Sequence, residues 1–136
     1  VDAVTLADLR RAFDAAREFT VYVGPEADAP RRSVTLRTPT DYQVRVAAMQ
    51  AGVAGRSDPA GMEILQRTLL ERSVVAWAGI RRADILAGDS AELLDFHADA
   101  VPLLLDAQPD WFAEPTAQLL ARLAERNRQR ETSSGN

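Results

Sequence analysis

The sequence predicts an α+β fold, mainly α, with about five helices and one N-terminal β-hairpin in a single domain. Three observations carry that expectation. Apolar residues recur at steps of three and four along most of the chain, two short runs near the N terminus alternate instead, and proline or glycine marks the changes of pattern. A chain of 136 residues, 46% hydrophobic and 26% charged, is long enough and apolar enough for one packed core. Residues 1–130 are assigned to that domain, and the small polar residues 131–136 to a flexible tail.

The first helix is expected from Thr5 to about Glu18, because Leu6, Leu9, Phe13 and Ala16 fall on one face and Thr5 with Asp8 forms a capping pair. Phe19, Val21 and Val23 then alternate with Thr20 and Tyr22, and Val34 and Leu36 with Ser33, Thr35 and Arg37, so both runs read as strands. Gly24 to Pro30 breaks regular structure between them and makes the hairpin, at about 19–37, with a long exposed loop. Thr38-Pro39-Thr40-Asp41 starts a helix running to about Ala51. Asp58-Pro59 starts a longer one through Leu65 and Leu69 to about Trp77, with Gly79 as its stop.

Residues 80–96 have a weaker pattern and are expected to be irregular, with a short helix near Ala91. Pro102 places Leu103, Leu104 and Leu105 at the start of a short helix ending near Gln108, and Pro109-Asp110 opens the last one. That helix carries Leu119, Leu120 and Leu123 on one face. Arg122, Arg126, Arg128 and Arg130 are read as a solvated cluster near its negative pole. The expected core includes Leu9, Phe13, Val34, Leu36, Leu65, Leu69 and Trp77.

Composition narrows the chemistry. Without a cysteine there is neither a disulfide framework nor a thiolate centre. The net charge of −4 argues against general nucleic-acid binding, which needs a basic surface to neutralise phosphates. No apolar run reaches the length of a membrane span, and Asp2, Asp8 and Asp14 lie where a signal peptide would be apolar. The glycines form no phosphate loop, since Gly52, Gly55 and Gly61 precede no Gly-Lys-Ser/Thr. No cofactor is expected.

His97 is the only histidine, and it has no second histidine for a zinc site. Asp95 and Asp99, four apart, would share a helix face, and are read as a solvated acidic surface because no further ligand pattern surrounds them. A small hydrolase or transferase using His97 with one of these aspartates is the enzymatic alternative. The absence of any richer catalytic constellation favours a binding protein instead.

Two places suit a partner. A two-stranded hairpin has unpaired edges, so residues 19–37, including Val21 and Val23, are candidates for pairing with another chain or a second copy. Trp111 and Phe112, held between Pro109 and Pro115, are candidate aromatic anchors.

The run Leu70 to Ile80, containing Trp77-Ala78-Gly79-Ile80, is followed by Phe96, Leu103-Leu104-Leu105 and Pro109-Asp110-Trp111. In this order it resembles the tail assembly chaperones of long-tailed bacteriophages, in which an apolar helix meets a Trp-x-Gly-Val/Ile signature. A loop, a Phe, a short leucine-rich helix and a polar C-terminal helix then follow. With Val34 to Pro39 as the preceding strand and helix start, the resemblance spans about residues 34–130. It departs from the family where Ala87-Gly88-Asp89-Ser90 and Leu93-Leu94-Asp95 replace an Asp-Gly-x-x-Val-Pro run. The resemblance implies a non-catalytic protein that binds tape-measure or tail-tube proteins in the host cytoplasm during tail assembly. A structural component retained in the virion, such as a connector or tail-associated protein, is the alternative.

Overall fold

A computed structural model describes residues 5–134 and shows an α+β fold: six α-helices and a three-stranded antiparallel sheet among those residues. Helix α1 (Leu6–Ala16) starts where the Thr5 hydroxyl accepts the Asp8 amide hydrogen, and it leads through Arg17 into β1 (Glu18–Val23). Strand β2 (Arg32–Arg37) returns antiparallel, with Val21 opposite Val34 and Phe19 opposite Leu36. The hairpin is therefore present at the expected place.

Helix α2 (Asp41–Gln50) is held by a reciprocal cap. The Thr40 hydroxyl accepts from the Gln43 amide while the Gln43 side chain accepts from the Thr40 amide. Helix α3 (Pro59–Ser73) has Asp58 as its cap. Arg56 holds the Asp58 carboxyl down to about 2, assisted by the Gly61 amide, so the cap stays charged far into acid.

The expected helix through Trp77 is corrected here. Helix α3 stops at Ser73, and Val74–Ala78 form a third strand, β3, antiparallel to β2 on the side away from β1. A five-residue apolar run fits a buried helical turn and a strand equally well by periodicity; the paired valines and Trp77 favour the strand, where branched and aromatic side chains lie flat on the pleat. One irregularity between Thr35 and Leu36 brings Val34 opposite Trp77 and Leu36 opposite Val74. Gly79 ends the strand, not a helix, with φ +75°; a Cβ there would sit 2.5 Å from the Arg31 carbonyl oxygen. Gly79→Ala is expected to cost about 2 kcal/mol or more, from backbone strain and this collision. A shift in the urea midpoint measures it.

Residues 80–96 also differ from expectation. The short helix α4 lies at Arg82–Ile85, not near Ala91, and the following chain folds back so that Leu94 donates to the Ile80 carbonyl at 2.7 Å and Arg82 to that of Glu92. A 3₁₀ turn, Ala98–Ala100, leads into α5 (Val101–Ala107), whose first turn holds Pro102 without loss of a helical bond. A second 3₁₀ turn, Pro109–Phe112, opens α6 (Ala113–Ser134).

Helix α6 runs through Ser134, past the residue at which the expected tail begins; residues 135 and 136 lie outside the described residues. Arg122, Arg126 and Arg128 therefore sit inside the helix and not at its pole. Arg126 donates to the Pro39 carbonyl and pairs with Asp41 at 2.9 Å, Arg130 pairs with the same Asp41, and Arg128 pairs with Glu125. Arg126 and Arg130 thus fasten α6 to the start of α2, while Arg128 pairs within α6 itself.

The core lies between one face of the sheet and helices α3, α5 and α6. Phe19, Val21, Val23, Val34 and Leu36 on that face meet Leu69, Leu104, Leu105, Phe112 and Leu119, with Leu65 and Trp77 packed against them and partly buried. Leu9 and Phe13, expected in the core, are not in it. No residue of α1 is buried: Leu6 is 71% exposed, Leu9 59% and Phe13 53%.

Candidate functional site

Three of the open surfaces around this core follow directly from how the chain uses its apolar residues. The first is the outer edge of the sheet. Strand order β1-β2-β3 leaves β1 paired on one side only, with six residues of backbone whose outward amides and carbonyls have no strand partner among the described residues. β1 contains no proline and no bulge, and its only charged residue is Glu18, at its start beside Arg37. These are the devices that commonly blunt a strand edge.

Beside the edge lies the outer face of the sheet. Alternation directs Thr20, Tyr22, Ser33, Thr35, Ala76 and Ala78 away from the core, and each remains exposed or half-buried. The Thr20 and Thr35 hydroxyls share a hydrogen bond at 2.9 Å, and the Arg31 guanidinium lies 4.3 Å over the Tyr22 ring. Strand β1 thus presents an open edge flanked by a face of small and hydroxyl-bearing side chains.

The second surface is α1, whose Leu6, Leu9 and Phe13 form an apolar stripe without a cover. Its C-terminal end is anchored, because Arg17 donates to the Thr38 carbonyl, pairs with Asp14 at 2.8 Å and lies over the Phe13 ring. The third is a groove of about 310 Å³ with Leu69, Ser73 and Val75 along α3 and β3, Tyr42, Gln43 and Val46 along α2, and Arg37, Pro39 and Arg72 around them.

The residues singled out from sequence fall differently from expectation. Val21 and Val23 point into the core and Phe112 is buried beneath α6, so none of these three side chains is free to anchor a partner. Strand alternation explains the first two: the exposed members of β1 are Thr20 and Tyr22, and what β1 offers outward is its backbone. Trp111 is half-buried, and its ring lies 5.0 Å from the Arg32 guanidinium and against Gly24, where a Cβ would approach to 3.2 Å. It therefore braces the hairpin loop.

That bracing belongs to a polar centre that pattern reading missed. Arg32 and Asp84 are both buried and form a two-pronged pair, Nε to Oδ2 at 2.8 Å and Nη2 to Oδ1 at 3.0 Å. Asp28 accepts from the third guanidinium nitrogen, and the Arg81 amide donates to Asp84 at 2.8 Å. The Asp84 hydrogen bond raises the Arg32 pKa against the opposing effect of burial, so the guanidinium is charged throughout the working range. Gln108 donates to the Asp84 backbone carbonyl, and Arg81 spans to the carbonyls of Gly79 and Pro30. The centre ties together the hairpin loop, α4 and the junction between α5 and α6, where Gln108 and Trp111 lie.

His97 is exposed, and its Nδ1 accepts the Asp99 amide hydrogen at 3.1 Å, capping the 3₁₀ turn. Asp95 precedes that turn, so it does not share a helix face with Asp99, correcting that expectation. Among the described residues no three His, Asp or Glu side chains gather as metal ligands, and no helix is long and apolar enough to cross a membrane. No family model, curated protein or solved structure matches the chain.

Proposed function

We propose that this chain is a non-catalytic tail assembly chaperone of a long-tailed phage, binding the tape-measure or tail-tube protein in the host cytoplasm. The observation that carries the binding reading is the open edge of β1. An unpaired strand edge backed by a packed core is a rigid template on which an extended segment of another chain can form main-chain hydrogen bonds. The Trp77-Ala78-Gly79-Ile80 resemblance supplies the phage context, and Gly79 holds a positive φ where that motif leaves β3.

Hydrogen exchange tests the edge without disturbing it. Co-expressed with the tape-measure and tail-tube proteins of its own phage, the chain is expected to form a complex with one of them. The amides of residues 18–23 that point away from β2 should then gain protection of at least tenfold. A complex that leaves those amides unprotected moves the docking site elsewhere, and the absence of any complex removes the chaperone reading.

A further inference from the structure

We infer that a second copy of this chain pairs with the open edge of β1, antiparallel and with Thr20 on a two-fold axis, so that two three-stranded sheets join into one. The hydrogen bonds of the hairpin show which backbone groups are free. The Thr38 amide donates to the Arg17 carbonyl at 2.8 Å, and the register from Glu18 opposite Arg37 onward is unbroken, so the hydrogen-bonded pairs of the ladder fall at Phe19, Val21 and Val23. Glu18, Thr20 and Tyr22 therefore turn their amides and carbonyls outward, and none of these groups has a hydrogen-bond partner among the described residues.

The edge is accessible along this stretch. Thr20 is exposed and so is Tyr22. Helix α1 does not cover it, because the contacts of its C-terminal end, Arg17 with Thr38 and Gln43 and Asp14 with Arg37, all go to β2 and to the chain that follows it.

This edge is complementary to itself. The three outward residues are spaced two apart with Thr20 in the middle, and only a register centred there satisfies all of them. Glu18 then exchanges hydrogen bonds with Tyr22 of the second copy, and Thr20 with its own counterpart. A register shifted by two residues leaves one of the three unpaired on each copy. The side chains agree with the centred register. Glu18, Thr20 and Tyr22 share the outer face, where residues of a hydrogen-bonded pair stand about 5.5 Å apart between Cα atoms. Glu18 thus meets Tyr22 of the second copy, and with it the Arg31 guanidinium that lies 4.3 Å over that ring. Glu18 holds Arg37 through Oε1 and has Oε2 to offer, while the ion pair of Arg31 is a loose contact of 3.9 Å to Glu26. The axis repeats this opposition of charges, and it sets no like charges opposite one another along β1.

Because the same amides would receive the tail protein, the second copy holds the edge until that protein displaces it. That exchange rests on the chaperone reading, whereas the dimer stands without it.

Light scattering on the purified chain is expected to give twice the 14.9 kDa of one chain and no larger species. Thr20→Pro removes an outward amide and no bond to β2, and Thr20→Lys sets two ammonium groups face to face on the axis. Each should return the mass to one chain, while Thr20→Val, which keeps the amide, should stay dimeric. Urea unfolding checks that the variants are folded, and Thr20→Lys decides alone if the proline variant is not. Because the chain has no cysteine, Thr20→Cys reports the register. Mild oxidation should join it to itself about fivefold or more faster than Tyr22→Cys, whose two copies lie about 14 Å apart along the strands. Diluted to a single chain, the protein gives the bare-edge exchange rates against which the tail-protein complex is compared, so either reading can fail without the other. A single-chain mass at millimolar concentration, a dimer that survives either folded variant, or Tyr22→Cys linking as readily as Thr20→Cys would each overturn the inference. So would a ladder of larger masses, the mark of head-to-tail pairing between β1 and β3.

Discussion

Asp84→Leu is expected to destabilise the protein by about 3–5 kcal/mol, the range found when one partner is removed from a buried ion pair. Arg32 would remain buried with only Asp28, itself partly exposed, to balance its charge, and the Arg81 amide would lose its acceptor. The magnitude comes from the stranded guanidinium and not from the worth of the pair. Arg32→Leu combined with Asp84→Leu should therefore recover a large share of the loss, since two leucines bury no charge. Urea unfolding of the two single variants and the double variant measures this cycle. A double variant as unstable as the sum of the singles would show that the pair acts through packing and not through charge.

Phe112→Ala should have an effect of the same size, about 3–5 kcal/mol, by loss of burial and by the cavity left where the ring had been. Phe112 is only 1% exposed and sits where the 3₁₀ turn enters α6, among the residues on which the sheet rests. Trp111→Ala, one residue earlier, removes a half-buried ring that stacks on Arg32 and should cost clearly less. Thermal unfolding of both compares them directly. A Phe112→Ala protein as stable as wild type, with weakened partner binding, would return that residue to the surface role its sequence context suggested.

How far the sequence could be read depends on the range of the interaction concerned. Thr40 with Gln43 and Thr5 with Asp8 act over three residues, so helix starts were legible. The β1–β2 hairpin was legible from alternation, though not which of its members carry a free contact: Val21 was legible as a strand residue and only the packed sheet shows it facing inward. α1 shows the same limit. Its stripe was plain, but periodicity says that a face is apolar and not that something of the same chain covers it. β3 escaped because five apolar residues are too few to separate two periods. The Arg32–Asp84 pair lies 52 residues apart, and no local spacing announces such a contact. It emerged only with the fold.

The order of strands in the sheet has a consequence for the time course of folding. β1 and β2 are joined by residues 24–31, whereas β2 must wait for residues 38–73, with α2 and α3 within them, before β3 arrives on its other side. The second closure spans a stretch about fourfold longer and so carries an entropic cost greater by roughly 1 kcal/mol. The hairpin therefore zips early and cheaply in time, and the sheet is completed late, after α3 has delivered Val74. Until then β2 has the same bare flank that β1 keeps within the finished chain; when β3 arrives it covers that flank and becomes the second edge in its place, so the late strand decides which side chains border the sheet opposite β1.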